Sequence, residues 1–206
     1  MNLRTAVRRA GKARYVRRQK DRSSNMVGGA YALTVLTRVR AGAEGMLAEH
    51  LARFEGQSPF EKLPRTHFAR FVLVPASVLP GGPRERHNGL ERCHLLFSAT
   101  FDGPLERYLD DICVSGATEL EAIWRCCEGF PQKGFEDMNA AKRYVRSHQL
   151  NTGLFYSGYP GQSVEHIRAS LDRRKRLLTF VLRAPTVETG RLKDEFLRDV
   201  AKRATP

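Results

Sequence analysis

Long apolar runs are missing from this chain. None approaches the roughly 20 residues a membrane span needs, and no apolar segment follows the basic N-terminus. An integral membrane protein and a Sec-exported one are therefore not expected. Cysteine is scarce too. Cys93, Cys113, Cys126 and Cys127 show no C-x-x-C spacing and no paired histidine motif, so nothing supports a structural zinc site. With no export signal, reduced and mostly buried thiols are the default. G-x-S-x-G, H-E-x-x-H, Walker A and G-x-G-x-x-G are all absent, and with them the familiar signatures of hydrolases, zinc proteases and nucleotide binders. No repeat of 20–50 residues appears, which excludes solenoids and propellers.

What is present is a globular balance. The 206 residues are 41% apolar and 28% charged, enough for one domain with tails. Charge is unevenly spread. Residues 1–22 hold nine Lys/Arg, among them Arg8, Arg9, Lys12, Arg14, Arg17 and Arg18, against Asp21 alone, a net +8 of the chain's +13. Such a block stays solvated until it meets an anion. It reads either as a contact for nucleic acid, an anionic membrane or an acidic partner, or as a solubilising leader. Ser23, Ser24, Gly28 and Gly29 read as a hinge behind it. The expected organisation is an arm over 1–28, a folded domain over 29–183 and a C-terminal amphipathic helix over 184–206.

Periodicity alternates between two and 3.6 along the rest. Ala30–Val39 (AYALTVLTRV), Thr66–Val74 (THFARFVLV) and Cys93–Phe101 (CHLLFSATF) read as strands, and Thr152–Tyr159 (TGLFYSGY) as a fourth. Helices are expected over Gly42–Phe54, from Pro104, over Ala117–Cys127, over Asn139–His148 and from Ser163, with another over Thr189–Lys202. Asp102 suits an N-cap for the helix at Pro104, and Ser163 suits one for the helix that follows it. The principal order, strand–helix–strand–strand–helix–strand, is the βαββαβ pattern of a ferredoxin-like α+β sandwich with extra C-terminal helices. Its second sheet face needs a cover, from those helices or from a second copy.

The blocks THFARFVLVP, HLLFSATFDGPLERYLDD, IWRCCEGFP and GLFYSGYPGQSVEHIR resemble a dimeric α+β barrel domain found in bacterial proteins near haem peroxidases, including the dye-decolourising type. The resemblance spans roughly residues 30–180. It implies a barrel able to hold a ligand, closed by sheet-to-sheet pairing in a homodimer, with no chemistry assigned; the cofactor stays unknown, and haem enters only through the His67, Arg70 and His94 reading below. The GxxDG motif of those peroxidases does not carry over, because Ala99 stands where its first glycine would fall before Asp102-Gly103.

The weighed site residues are His67, Arg70, His94, Asp102 and Tyr156. If His67 and His94 share a sheet face they form an acid/base pair, a haem ligand or a metal pair; otherwise each is an ordinary strand residue. Arg70 on a strand wants a carboxylate, for which Asp102 is a candidate, or an anionic ligand. Tyr156 and Tyr159 flank a glycine and either line a pocket mouth or pack. Trp124 reads as core. Three functions follow. The leading one is a cytoplasmic or membrane-peripheral, non-catalytic module whose arm contacts an anionic partner. The others are a small haem- or small-molecule-binding oxidoreductase and a nucleic-acid binder that displays Phe68 and Phe97.

Overall fold

The structure, a computed structural model, describes residues 25–54, 56–76 and 92–201. The basic arm and the Gly/Pro-rich loop at 79–89 lie outside the described residues. By its internal contacts the chain divides into two compact units, Met1–Gly161 and Gln162–Pro206.

The first unit is α+β. Its strands are β1 (Met26–Val27), β2 (Ala30–Arg38), β3 (Thr66–Val74), β4 (His94–Asp102) and β5 (Gln149–Leu150), all paired antiparallel. The three long strands run β2–β4–β3, and the short β1 and β5 share the outer edge of β2. This is one open sheet and not a barrel. Strict alternation made the central strands easy to read. Tyr31, Leu33, Val35 and Thr37 of β2 and Leu95, Phe97, Ala99 and Phe101 of β4 are buried, while their neighbours are less so.

Among the described residues four α-helices, α1 (Glu44–Ala52), α2 (Leu105–Ser115), α3 (Ala117–Arg125) and α4 (Met138–Ser147), and 3-10 turns at Pro59–Lys62 and Gly134–Glu136 accompany the sheet. Their apolar sides supply Leu47, Leu109, Ile112, Leu120, Ile123, Trp124, Ala141 and Val145 to the same core as the buried sheet face. Trp124 is its centre, meeting Phe97 edge-on at 5.5 Å, Phe71 at 6.1 Å and Phe135 at 5.8 Å. Ser58 and Asp137 cap their helical turns by accepting from Phe60 and Ala140 N–H.

Three expectations fail locally. Thr152–Tyr159 is not a strand; the last ladder is the two-residue β5. Beyond Leu150, the next stretch of the β2 edge is taken by β1 at Ala30 and Tyr31, and the Thr152 N–H donates to the Asn25 side chain at 2.7 Å. Gly28-Gly29 is no hinge either. It is the tight turn between β1 and β2, with Gly28 at φ +60° and so close to Pro160-Gly161 that a Cβ would stand 2.7 Å from the Gly161 nitrogen. Asn25, fully buried, also donates to Asn151 Oδ1 at 3.2 Å, so the ordered fold begins ahead of residue 29. Finally, Asp102 does not cap α2: it ends β4, and Pro104 occupies the cap position in an extended conformation.

The second unit consists of α5 (Val164–Arg183), capped by Ser163 accepting from His166 N–H at 3.1 Å, and a broken helical tail. The single helix expected over 189–202 is instead a 3-10 turn at Thr189–Arg191, α6 (Leu192–Phe196) and a π turn at Leu197–Ala201. Phe180 meets Phe196 edge-on at 5.5 Å, and Arg183 pairs with Glu195 at 2.9 Å and with Asp199.

Candidate functional site

The side chains singled out from sequence do not converge. β3 and β4 pair over their whole length, so His94, opposite Val74, lies at one end of the sheet while His67 lies at the other, beside Thr66 and Phe68. Eight residues of strand separate those ends, roughly 26 Å. An acid/base, haem or metal pair made of His67 and His94 is therefore excluded. His94 Nδ1 instead donates to the Arg92 carbonyl at 2.8 Å.

His67 does find a carboxylate. The ladder slips between Thr66 and Phe68, and this bulge carries His67 Nε2 to 2.8 Å from Asp102 Oδ1, with both side chains largely buried. On the other side of the bulge, the Thr66 hydroxyl lies 3.1 Å from the Tyr108 hydroxyl. Burial pushes the Tyr108 phenol up to about 12, the Thr66 bond opposing in part. The His67–Asp102 contact gives an imidazole held in one orientation by a carboxylate, an arrangement able to hold or relay a proton.

Asp102 is thus directed to His67 and not to Arg70. No carboxylate among the described residues pairs with Arg70, which is exposed at the middle of β3. Cross-strand register sets it beside Ser98 and then Thr34, between an apolar row of Val72, Leu96 and Leu36 and a row in which Phe68 stands next to Thr100. Phe68 is 78% exposed, and Val72 is exposed beside it. Arg70 also borders a shallow open cleft of about 210 Å³ floored by Phe54, Phe60 and Phe71. An apolar surface with one unpaired guanidinium at its middle can take an anionic group attached to an apolar body.

Tyr156 and Tyr159 are 82% and 76% exposed on the segment that follows β5. Trp124 is core, as expected. The thiols are buried or half-buried and unpaired. Burial pushes Cys127 up to about 11 despite the bond that the Thr37 hydroxyl donates to its sulfur at 3.2 Å, and pushes Cys113 up to about 11. At neutral pH these are packing thiols, not nucleophiles. Among the described residues no three His, Cys, Asp or Glu side chains gather as a metal site.

Sequence reasoning missed two charge features. Glu128 serves two guanidiniums at once, Arg92 at 2.8 Å and Arg38 at 3.6 Å, because Glu128 N–H bonds the Arg38 carbonyl and so fixes α3's end against β2. No local spacing signals this. The other is a run of cations on α5 that have no carboxylate partner among the described residues and lie beside an apolar stripe whose packing spacing the sequence shows. Comparison with protein-family models, curated proteins and solved structures finds no match to the chain.

Proposed function

We propose that this chain is a non-catalytic binding module whose basic N-terminal residues contact an anionic polymer, membrane surface or acidic protein. The observation that carries the reading is where charge is left uncompensated. Among the described residues of the α+β unit, Arg38, Lys62, Arg65, Arg92, Arg125, Lys142 and Arg146 are matched to a carboxylate, whereas Arg40, Arg53, Arg70, Arg107, Lys133 and Arg143 are scattered singly without one. The first 22 residues carry nine cations and one acid. Attraction by counterion release then concentrates in the arm.

The finer fold reading, a ferredoxin-like βαββαβ sandwich, is part of the proposal. It is supported by the strand order β5–β2–β4–β3, with α1 linking β2 to β3 and α2–α4 linking β4 to β5. The proposal retains the homodimer, placed on the sheet face that bears Phe68 and Val72, and a cytoplasmic or membrane-peripheral location. Haem and a small-molecule oxidoreductase activity remain the alternative, resting on the His67–Asp102 pair.

Binding of full-length protein to a DNA oligonucleotide across a salt series tests the main reading. Replacing Arg8, Arg9, Lys12, Arg14, Arg17 and Arg18 by Gln is expected to remove most of the affinity and flatten the salt dependence. Loss of binding in Arg70→Ala with the six-fold arm variant unaffected would overturn it and assign the sheet as the contact surface.

A further inference from the structure

Helix α5 is 20 residues long, about 30 Å, and only Val164 at its start is buried. Val164, Ile167, Leu171, Leu178 and Val181 recur at alternating three- and four-residue steps with Arg174 in the fourth of the six positions, and Leu182 adjoins them. From Ile167 onward the stripe is open, with Leu171 58% and Leu182 82% exposed. The broken tail does not cover it. Phe180 and Arg183, which contact Phe196, Glu195 and Asp199, lie on the helix's other side, as does Arg176, paired with Asp172.

The charges on α5 narrow the choice of what covers the stripe. Arg168, Arg173, Arg174 and Lys175 have no carboxylate partner among the described residues. Arg168 and Lys175 border the stripe on one flank, and Arg174 stands within it. A second copy laid along the same stripe would bring these like charges together around a seam already interrupted by Arg174. A nucleic acid would satisfy the cations but leave Ile167, Leu171, Leu178 and Leu182 in water. A surface that is apolar below and anionic above satisfies both sets. Long basic side chains can lie over the apolar stripe and raise their heads to phosphate groups. No helix among the described residues is long and apolar enough to cross a membrane, which fits a helix that lies in the surface plane.

We infer that α5 is an interfacial helix that docks on a bilayer rich in anionic lipid, burying Ile167, Leu171, Leu178 and Leu182 at the acyl boundary with Arg168, Arg174 and Lys175 among the headgroups. This rests on the anionic-partner reading above and names lipid as the partner. It also predicts binding that salt weakens without abolishing, since the apolar part of the contact is insensitive to screening.

The test is co-sedimentation of full-length protein with phosphatidylcholine vesicles and with mixed phosphatidylcholine–phosphatidylglycerol vesicles at physiological salt, alongside oligonucleotide binding. Leu171→Glu with Leu178→Glu is expected to lower affinity for the mixed vesicles at least about tenfold and to leave oligonucleotide binding unchanged. Arg168→Gln with Lys175→Gln, which alters no apolar side chain, is expected to weaken mixed-vesicle binding while sparing the fold. Should either pair bind mixed vesicles as the parent chain does, or the parent bind none, the inference is wrong. Conversion of a dimer to a monomer by the Leu pair, without loss of vesicle binding, would assign the stripe to a second copy and also overturn it. The six-fold arm variant keeps the two readings apart. Unchanged oligonucleotide binding by that variant defeats the arm reading, whatever the α5 variants do.

Discussion

The two units of this chain treat the same kind of side chain in opposite ways. In the α+β unit, apolar residues at period two and period 3.6 find one another, so that Leu33, Val35, Leu95, Phe97, Leu120, Ile123 and Trp124 are sealed from water. In the second unit, α5 has an equally regular stripe, yet Leu171, Leu178 and Leu182 remain exposed. Amphipathic spacing alone therefore says that a helix has a face to bury and not where that face is buried. The first unit answers the question internally, whereas in α5 the stripe is available to a partner.

The contrast is broken most severely at Trp124. Trp124→Ala empties the meeting point of four phenylalanine rings and is expected to cost about 3–5 kcal/mol, read from the denaturant midpoint. A smaller loss of about 1–2 kcal/mol is expected for Asn25→Ala, which removes a buried side chain that holds the half-buried Asn151 and Thr152. Truncation at residue 22 should leave the melting temperature nearly unmoved, because the removed stretch has few large apolar side chains. Truncation at residue 26 should lower it, because the Asn25 contacts and part of β1 go with it.

Alkaline pH sharpens the same division. Cys127 has a thiol raised from 9.0 to about 11 in the fold, chiefly by burial. Between those values the unfolded chain has released a proton that the native state retains, so stability falls as pH rises from 9 toward 11 and is fully present below 9. The loss attributable to this group is on the order of 2 kcal/mol, and Cys127→Ala should flatten that part of the profile. At the small end stands α5. Leu171→Ser or Leu178→Ser is expected to change stability by no more than about 0.5 kcal/mol, since neither side chain is taken out of water in the free protein.

Much of this architecture could be read from residue pattern. THFARFVLV and CHLLFSATF alternate cleanly and became the β3–β4 pair, and the stripe Leu105, Tyr108, Leu109, Ile112 became α2. The misreadings share a physical origin, a non-local competitor for a local signal. GLFYSGY has the composition of a strand, but β1 already occupies the edge it would need. Asp102 has the spacing of a cap, but a bulge in a strand 35 residues away delivers His67 to it. Arg70 was legible as a residue in need of an anion, whereas its actual neighbours, Ser98 and Thr34, depend on a register that no single strand encodes.

One feature of the sheet bears on how the protein survives at high concentration. β3 is its outermost long strand, nine residues rich in aromatic and branched side chains, and Arg70 is its only Lys or Arg, near its middle. Unguarded edges of this composition recruit further strands, end over end, until the protein leaves solution. When two such edges approach antiparallel and in register, the guanidinium of one meets that of the other at the centre of the contact, and the pairing is penalised where it would otherwise nucleate. Replacing Arg70 with Val removes that penalty and is expected to shorten the time the protein stays clear on standing.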